Sequence, residues 1–60
     1  MNKYDQKKNI VVTGASRGIG LATVKYLLSA GHRVFGLSRQ KLRSELASFS
    51  ADQPGELHWY

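Results

Sequence analysis

Two short runs in this 60-residue chain carry most of its chemical potential. The first is Thr13-Gly14-Ala15-Ser16-Arg17-Gly18-Ile19-Gly20. Glycine lacks a Cβ, so backbone N–H groups at such a turn can approach an anion closely. If a helix follows, its first N–H groups are unpaired and carry the positive end of the dipole. Ser16 adds a hydroxyl donor and Arg17 a cation at the same place. That combination is suited to holding a phosphate or pyrophosphate. The second run is Leu37-Ser38-Arg39-Gln40, which offers a hydroxyl and a guanidinium, and the nearest acid is Glu45. A guanidinium grips phosphate through two parallel hydrogen bonds. Other chemistries are poorly provided for. There is no cysteine for a disulfide or a thiolate ligand, and His32 and His58 lack a metal-ligand spacing. The glycines follow Gly-x-x-x-Gly-x-Gly, so neither Gly-x-Gly-x-x-Gly nor a Walker A loop with its Gly-Lys pair is met.

The elements that must position these runs can be read from the apolar pattern. Asn9 to Val12 reads as a strand, with Ile10, Val11 and Val12 consecutive and β-branched. Such a run suits a strand buried on both faces of a parallel sheet. Ile19 to Ala30 reads as a helix, with Leu21, Val24, Leu27 and Leu28 on one side and Gly31 as its left-handed stop. Val34 to Leu37 is a second strand, and Gln40 to Phe49 a second helix built on Leu42, Leu46 and Phe49. Ser50 to Gly55 is a loop, with Pro54-Gly55 as its turn, and Leu57 to Tyr60 opens a third strand. Residues 1–8 form a polar leader, and 9–60 one unit. The order β-α-β-α-β implies a parallel sheet with right-handed crossovers. The glycine run therefore leaves a strand and enters a helix, the context that distinguishes a nucleotide-binding turn from a chance cluster of glycines. In that context Gly14 turns the chain off the strand, Gly18 leaves room for a pyrophosphate, and Gly20 lets the helix pack closely.

Length and charge narrow the function classes. Sixty residues build one small core at most, which argues against a complete ordinary enzyme. Nine Lys or Arg against four Asp or Glu give a net charge of +5, which suits an anionic ligand. The aromatic residues are not interleaved with the basic ones as a nucleic-acid stacking platform requires, so nucleic acid is not the expected partner. The basic start has no apolar stretch behind it to form a targeting signal, and no segment is long and apolar enough to span a bilayer. The cytoplasm is the expected compartment, in keeping with the absence of cysteine.

The run Thr13 to Gly20 resembles, at every motif position, the cofactor-binding signature of the short-chain dehydrogenases/reductases. The β-α-β-α-β order extends the resemblance from Lys8 to Tyr60. It implies a Rossmann fold, here a truncated βαβαβ half of a doubly wound α/β sheet. It also implies a nicotinamide dinucleotide and hydride transfer to or from a carbonyl or alcohol substrate in a homo-oligomeric parent. By the motif, Gly14, Ser16, Arg17, Gly18, Ile19 and Gly20 line the pyrophosphate and adenine-ribose side of the cofactor. The end of the second strand discriminates between cofactors. An acid there would accept from a ribose 2′-OH, whereas Ser38 and Arg39 favour a 2′-phosphate and hence NADP(H) over NAD(H). Lys41 and Arg43 stand nearby, but a helix from Gln40 would turn them away.

The family's catalytic Ser, Tyr-x-x-x-Lys pair and Asn come after the third strand, so no residue of this chain is expected to be catalytic. Tyr4 and Lys8 have the Tyr-x-x-x-Lys spacing but precede the first strand, where nothing would hold them in catalytic geometry. Tyr26 is expected to be a half-buried packing residue. His58, Trp59 and Tyr60 are expected to be strand residues lacking neighbours. The reading is thus the cofactor end of an NADP-dependent reductase, not catalytic by itself. The alternative is a small nucleotide-binding or basic interaction module without chemistry.

Overall fold

The computed structural model describes residues 7–60. Strand β1 (Asn9–Thr13) leads through the glycine turn into helix α1 (Gly18–Ser29). Strand β2 (Arg33–Leu37), helix α2 (Ser44–Ala51) and strand β3 (Glu56–Trp59) follow. The sheet order is β1-β2-β3 and both pairings are parallel, so this is a Rossmann-like βαβαβ unit. Val11 stands opposite Phe35, and Phe35 opposite His58. The pairing continues past the strands: Tyr60 donates its N–H to the Gly36 carbonyl at 2.9 Å, and Ser38 donates to Tyr60 at 3.1 Å.

Helix α1 follows its apolar period. Val24 and Leu28 are fully buried, with Leu21 and Leu27 packed beside them. Its end is a Schellman motif. The Gly31 N–H bonds the Leu28 carbonyl at 3.1 Å and the His32 N–H bonds the Leu27 carbonyl at 3.1 Å. Gly31 has φ +90°, the left-handed value such a stop requires. The core is completed by Ala15, Val34 and Leu46, with Val12, Leu57 and Trp59 against it. Each fully buried aliphatic side chain contributes about 1.5–3 kcal/mol.

Strand β1 departs from the expectation of burial on both faces. Its exposure alternates, and Val11 is 61 % exposed. Two right-handed crossovers running in one direction along the sheet place α1 and α2 on the same face. Val12, Val34, Leu57 and Trp59 point to those helices. The opposite face carries Val11, Phe35, His58 and Tyr60. The Phe35 ring stacks on His58 at 5.0 Å between centroids and on Tyr60 at 6.4 Å.

Helix α2 begins at Ser44, not at Gln40. Leu42 belongs to the preceding loop and still packs on the core, so its place in the apolar pattern came from burial without helicity. Tyr26 is 70 % exposed, because it lies on the outer side of α1. Trp59 is not a residue without neighbours. Its ring lies on Gly36, where an added Cβ would come within 2.8 Å of it, and its Nε1–H donates to the Gln40 carbonyl at 3.0 Å.

The leader expected over 1–8 lies outside the described residues for 1–6, and so does Tyr4. Lys8 is tied down: its N–H donates to His32 Nδ1 at 3.1 Å, and its carbonyl accepts from the Arg33 N–H at 2.8 Å. Glu56 accepts from Lys7 Nζ at 3.0 Å and from Arg33 Nε at 3.1 Å. The Lys7 and Arg33 contacts hold the Glu56 carboxyl down to about 2 from an ordinary 4.5. No helix among the described residues is long and apolar enough to cross a membrane.

Candidate functional site

The site forms where β1 and β2 end. Gly14 and Gly18 both have φ +62°, a conformation that a side chain strains and glycine adopts freely. The two positive φ values fold the chain back from β1 so that α1 starts beside the carboxyl ends of both strands. Ala15 then donates to the Leu37 carbonyl at 3.3 Å, which fastens the turn to β2. A Cβ at Gly20 would collide with the Gly14 carbonyl oxygen, so only glycine lets the first turn of α1 lie on that peptide.

Helix α1 begins without a side-chain cap and has no acid in its first turn. Its leading N–H groups are left for water or for an anion. Beside them a cleft of about 560 Å³ is lined by Gly14, Ser16, Arg17, Leu37, Ser38, Arg39 and Gln40. Five of the residues expected at the site are therefore brought together in its wall: Gly14, Ser16, Arg17, Ser38 and Arg39. Gly18, Ile19 and Gly20 stand in the adjoining first turn of α1, with the Ile19 side chain 87 % exposed. Leu37 and Gln40 also line the wall, and Gln40 is held there by the Trp59 hydrogen bond. Ser38 Oγ accepts from the Gln40 N–H at 3.0 Å, which shapes the loop leaving β2.

The electrostatics of the wall are one-sided. Two arginines line it and no carboxylate does. Neither Arg17 nor Arg39 is ion-paired among the described residues, where the ion pairs found all involve Glu56. At Gly14 and Gly18 no atom lies within 4 Å of where a Cβ would stand, so the backbone there is open to approach. Lys41 and Arg43, which a longer helix would have turned away, are loop residues lining an adjoining cleft. No group of His, Asp or Glu able to hold a metal ion occurs among the described residues.

A strand-turn-helix with unpaired N–H groups, followed by a basic loop after the next strand, presents donors and positive charge suited to an anionic group. The family model described as short chain dehydrogenase matches residues 8–57, and the chain belongs to that family. It is 48% identical over 50 residues to protochlorophyllide reductase A, chloroplastic, of Arabidopsis thaliana, a match covering 82% of this chain and 12% of that protein. It is 48% identical over 48 residues to carbonyl reductase family member 4 of Danio rerio, covering 80% of this chain and 19% of that protein. Short chain dehydrogenase ple7 of Rhodocybe pseudopiperita is 67% identical over 30 residues, covering 50% of this chain and 12% of that protein. The chain thus spans a minor part of the length of the relatives it matches.

Proposed function

We propose that this chain supplies the dinucleotide-binding end of an NADP-dependent oxidoreductase that moves hydride between a nicotinamide and a carbonyl or alcohol. The observation that carries the reading is the cleft wall. It joins an uncapped helix N-terminus to Arg17, Ser38 and Arg39 and has no acid. Family membership supports a nicotinamide dinucleotide, and the names of two relatives specify reductases.

The cofactor supplies the hydride chemistry, and the residues of this chain bind and orient it. The N–H groups at the start of α1 hold the pyrophosphate, with Gly14 and Gly18 leaving the backbone open to it. Ser38 and Arg39 hold the 2′-phosphate, and Arg17 adds its charge from the turn. An acid after β2 would instead accept from a 2′-OH and repel a phosphate. No residue here is assigned to proton transfer, so the sixty residues bind without turnover. The absence of cysteine in the chain is in keeping with a reducing, cytoplasmic setting.

Calorimetric titration of the chain with NADPH and NADH tests the reading. NADPH should bind more tightly. Arg39→Asp should cost NADPH binding about 1.5–3 kcal/mol by removing a charge-assisted phosphate contact. NADH binding should change little or improve. Equal losses for the two cofactors would remove the phosphate role of Arg39, and failure of both to bind would remove the reading.

A further inference from the structure

The loop that carries Arg39 is pinned on both sides of that residue, and both pins come from β3 and the residue after it. Before Arg39, the Ser38 N–H donates to the Tyr60 carbonyl at 3.1 Å, and the Tyr60 N–H donates to the Gly36 carbonyl at 2.9 Å. After it, the Gln40 carbonyl accepts from the Trp59 Nε1–H at 3.0 Å. The Gln40 N–H is engaged as well, on Ser38 Oγ at 3.0 Å. Arg39 itself is exposed, and its guanidinium is not ion-paired among the described residues. No carboxylate sets the direction of this side chain, so its starting point is set by the backbone of its two neighbours.

The two pins differ in kind. The one at Ser38 continues the sheet pairing and uses backbone groups alone. The one at Gln40 depends on a side chain. Gln40 lies beyond β2, outside the ladder, and the indole of Trp59 reaches it from the next strand. The ring passes over Gly36, its partner in the register, where an added Cβ would come within 2.8 Å of it. The same Cβ would stand 3.3 Å from the side chain of Ala15, in the turn that opens the site. The indole thus fills the side-chain space of Gly36 and lines the smaller, adjoining cleft. Tryptophan has only two side-chain torsions, so a ring packed in this way presents its N–H at little cost in entropy.

We infer that Trp59 is a positioning residue for the discrimination between NADPH and NADH. By holding Gln40 it fixes the backbone from which Arg39 reaches the 2′-phosphate. The inference rests on the proposed 2′-phosphate role of Arg39, and it gives Trp59 no contact with the cofactor. The N–H groups of α1 that would hold the pyrophosphate do not depend on this clasp, so its effect falls on the 2′-phosphate.

The test is calorimetric titration with both cofactors after two replacements of Trp59. One is Trp59→Phe. The other is β-(3-benzothienyl)alanine at position 59, which has sulfur in place of the indole N–H and keeps the ring on Gly36. Loss of the N–H should weaken NADPH about fivefold, the Kd equivalent of one ordinary hydrogen bond, and leave NADH affinity as it is in the unaltered chain. In an Arg39→Gln chain the same replacement should weaken NADPH no further, because the residue it acts through is gone. Amide relaxation measured by NMR without cofactor should show greater mobility at Arg39 and Gln40 and none gained at Gly36 or Leu37. Equal losses for the two cofactors, or losses that add in the double variant, would make Trp59 a general support of the fold and overturn the inference. Unchanged NADPH affinity in both Trp59 variants, with Arg39→Gln still weakening NADPH, would overturn it and leave the reading of the cleft standing. If Arg39→Gln costs NADPH nothing, the 2′-phosphate role and this inference fall together.

Discussion

At Gly20 a single methyl group is too much, because it would strike the carbonyl of Gly14. Gly20→Ala should therefore force the start of α1 off the turn and cost about 1–3 kcal/mol, measurable by urea denaturation. Gly36 is restricted by a different neighbour, the Trp59 ring, which covers the space a side chain would need. Removing the indole N–H with Trp59→Phe should cost about 1 kcal/mol, since the Gln40 carbonyl loses its donor. These two glycines differ in how readable they were. The Gly20 requirement follows from a motif contained in eight consecutive residues, Thr13 to Gly20. The Gly36 requirement depends on β3 pairing with β2, which puts Gly36 opposite Trp59. Sequence gave no local sign of that contact, and it gave none that Gln40 would join the cleft wall.

Among the elements, α1 shows the closest agreement between pattern and structure. Its apolar stripe is long, it sits between a turn and a glycine stop, and its two most buried residues are in the stripe. Leu28→Ala should cost about 2–5 kcal/mol by leaving a cavity at the centre of the core. That is a large share of what a core of this size can supply, and thermal unfolding monitored by circular dichroism would show it. Helix α2 was legible as a helix but not at its start. Leu42 fits the period of Leu46 and Phe49 although it is buried from a loop, and spacing alone does not distinguish the two cases. In β1 the run Ile10-Val11-Val12 reads as a strand covered on both faces, and the two helices of these sixty residues cover one of them.

At the amino ends of the strands, Glu56 joins β3 to β2 through Arg33 and to the segment before β1 through Lys7. Its carboxyl is held below its ordinary range, so between about 4.5 and about 2 the unfolded chain binds the extra proton. Stability from this group should be fully present above that window and be lost as the pH falls through it. Glu56→Gln should flatten that part of an acid denaturation curve.

Across the whole molecule, the ends of the sheet differ in whether their cations are paired with a carboxylate. Parallel strands bring the start of both helices to one rim, and Arg17, Lys25, Arg39, Lys41 and Arg43 line the clefts of that rim. The Glu56 cluster occupies the opposite rim. A rim of unpaired cations should make anion binding sensitive to salt. Raising ionic strength from about 0.01 M to about 0.15 M shortens the Debye length from about 30 Å to about 8 Å. NADPH, with its additional phosphate, should lose more affinity than NADH over that interval, as calorimetry at the two salt concentrations would show. This polarity was only partly visible in the net charge of +5, because a count does not say which cations are already paired.

The chain has one tryptophan, and it sits where the loop after β2 is fastened to β3. Its indole reaches the backbone of Gln40, which walls the larger cleft, and its own side chain walls the smaller one. The protein therefore carries its own optical reporter. A shift in the emission of Trp59 would register movement of that loop in unlabelled, unaltered material, and a titration with NADPH would indicate whether filling the larger cleft moves it.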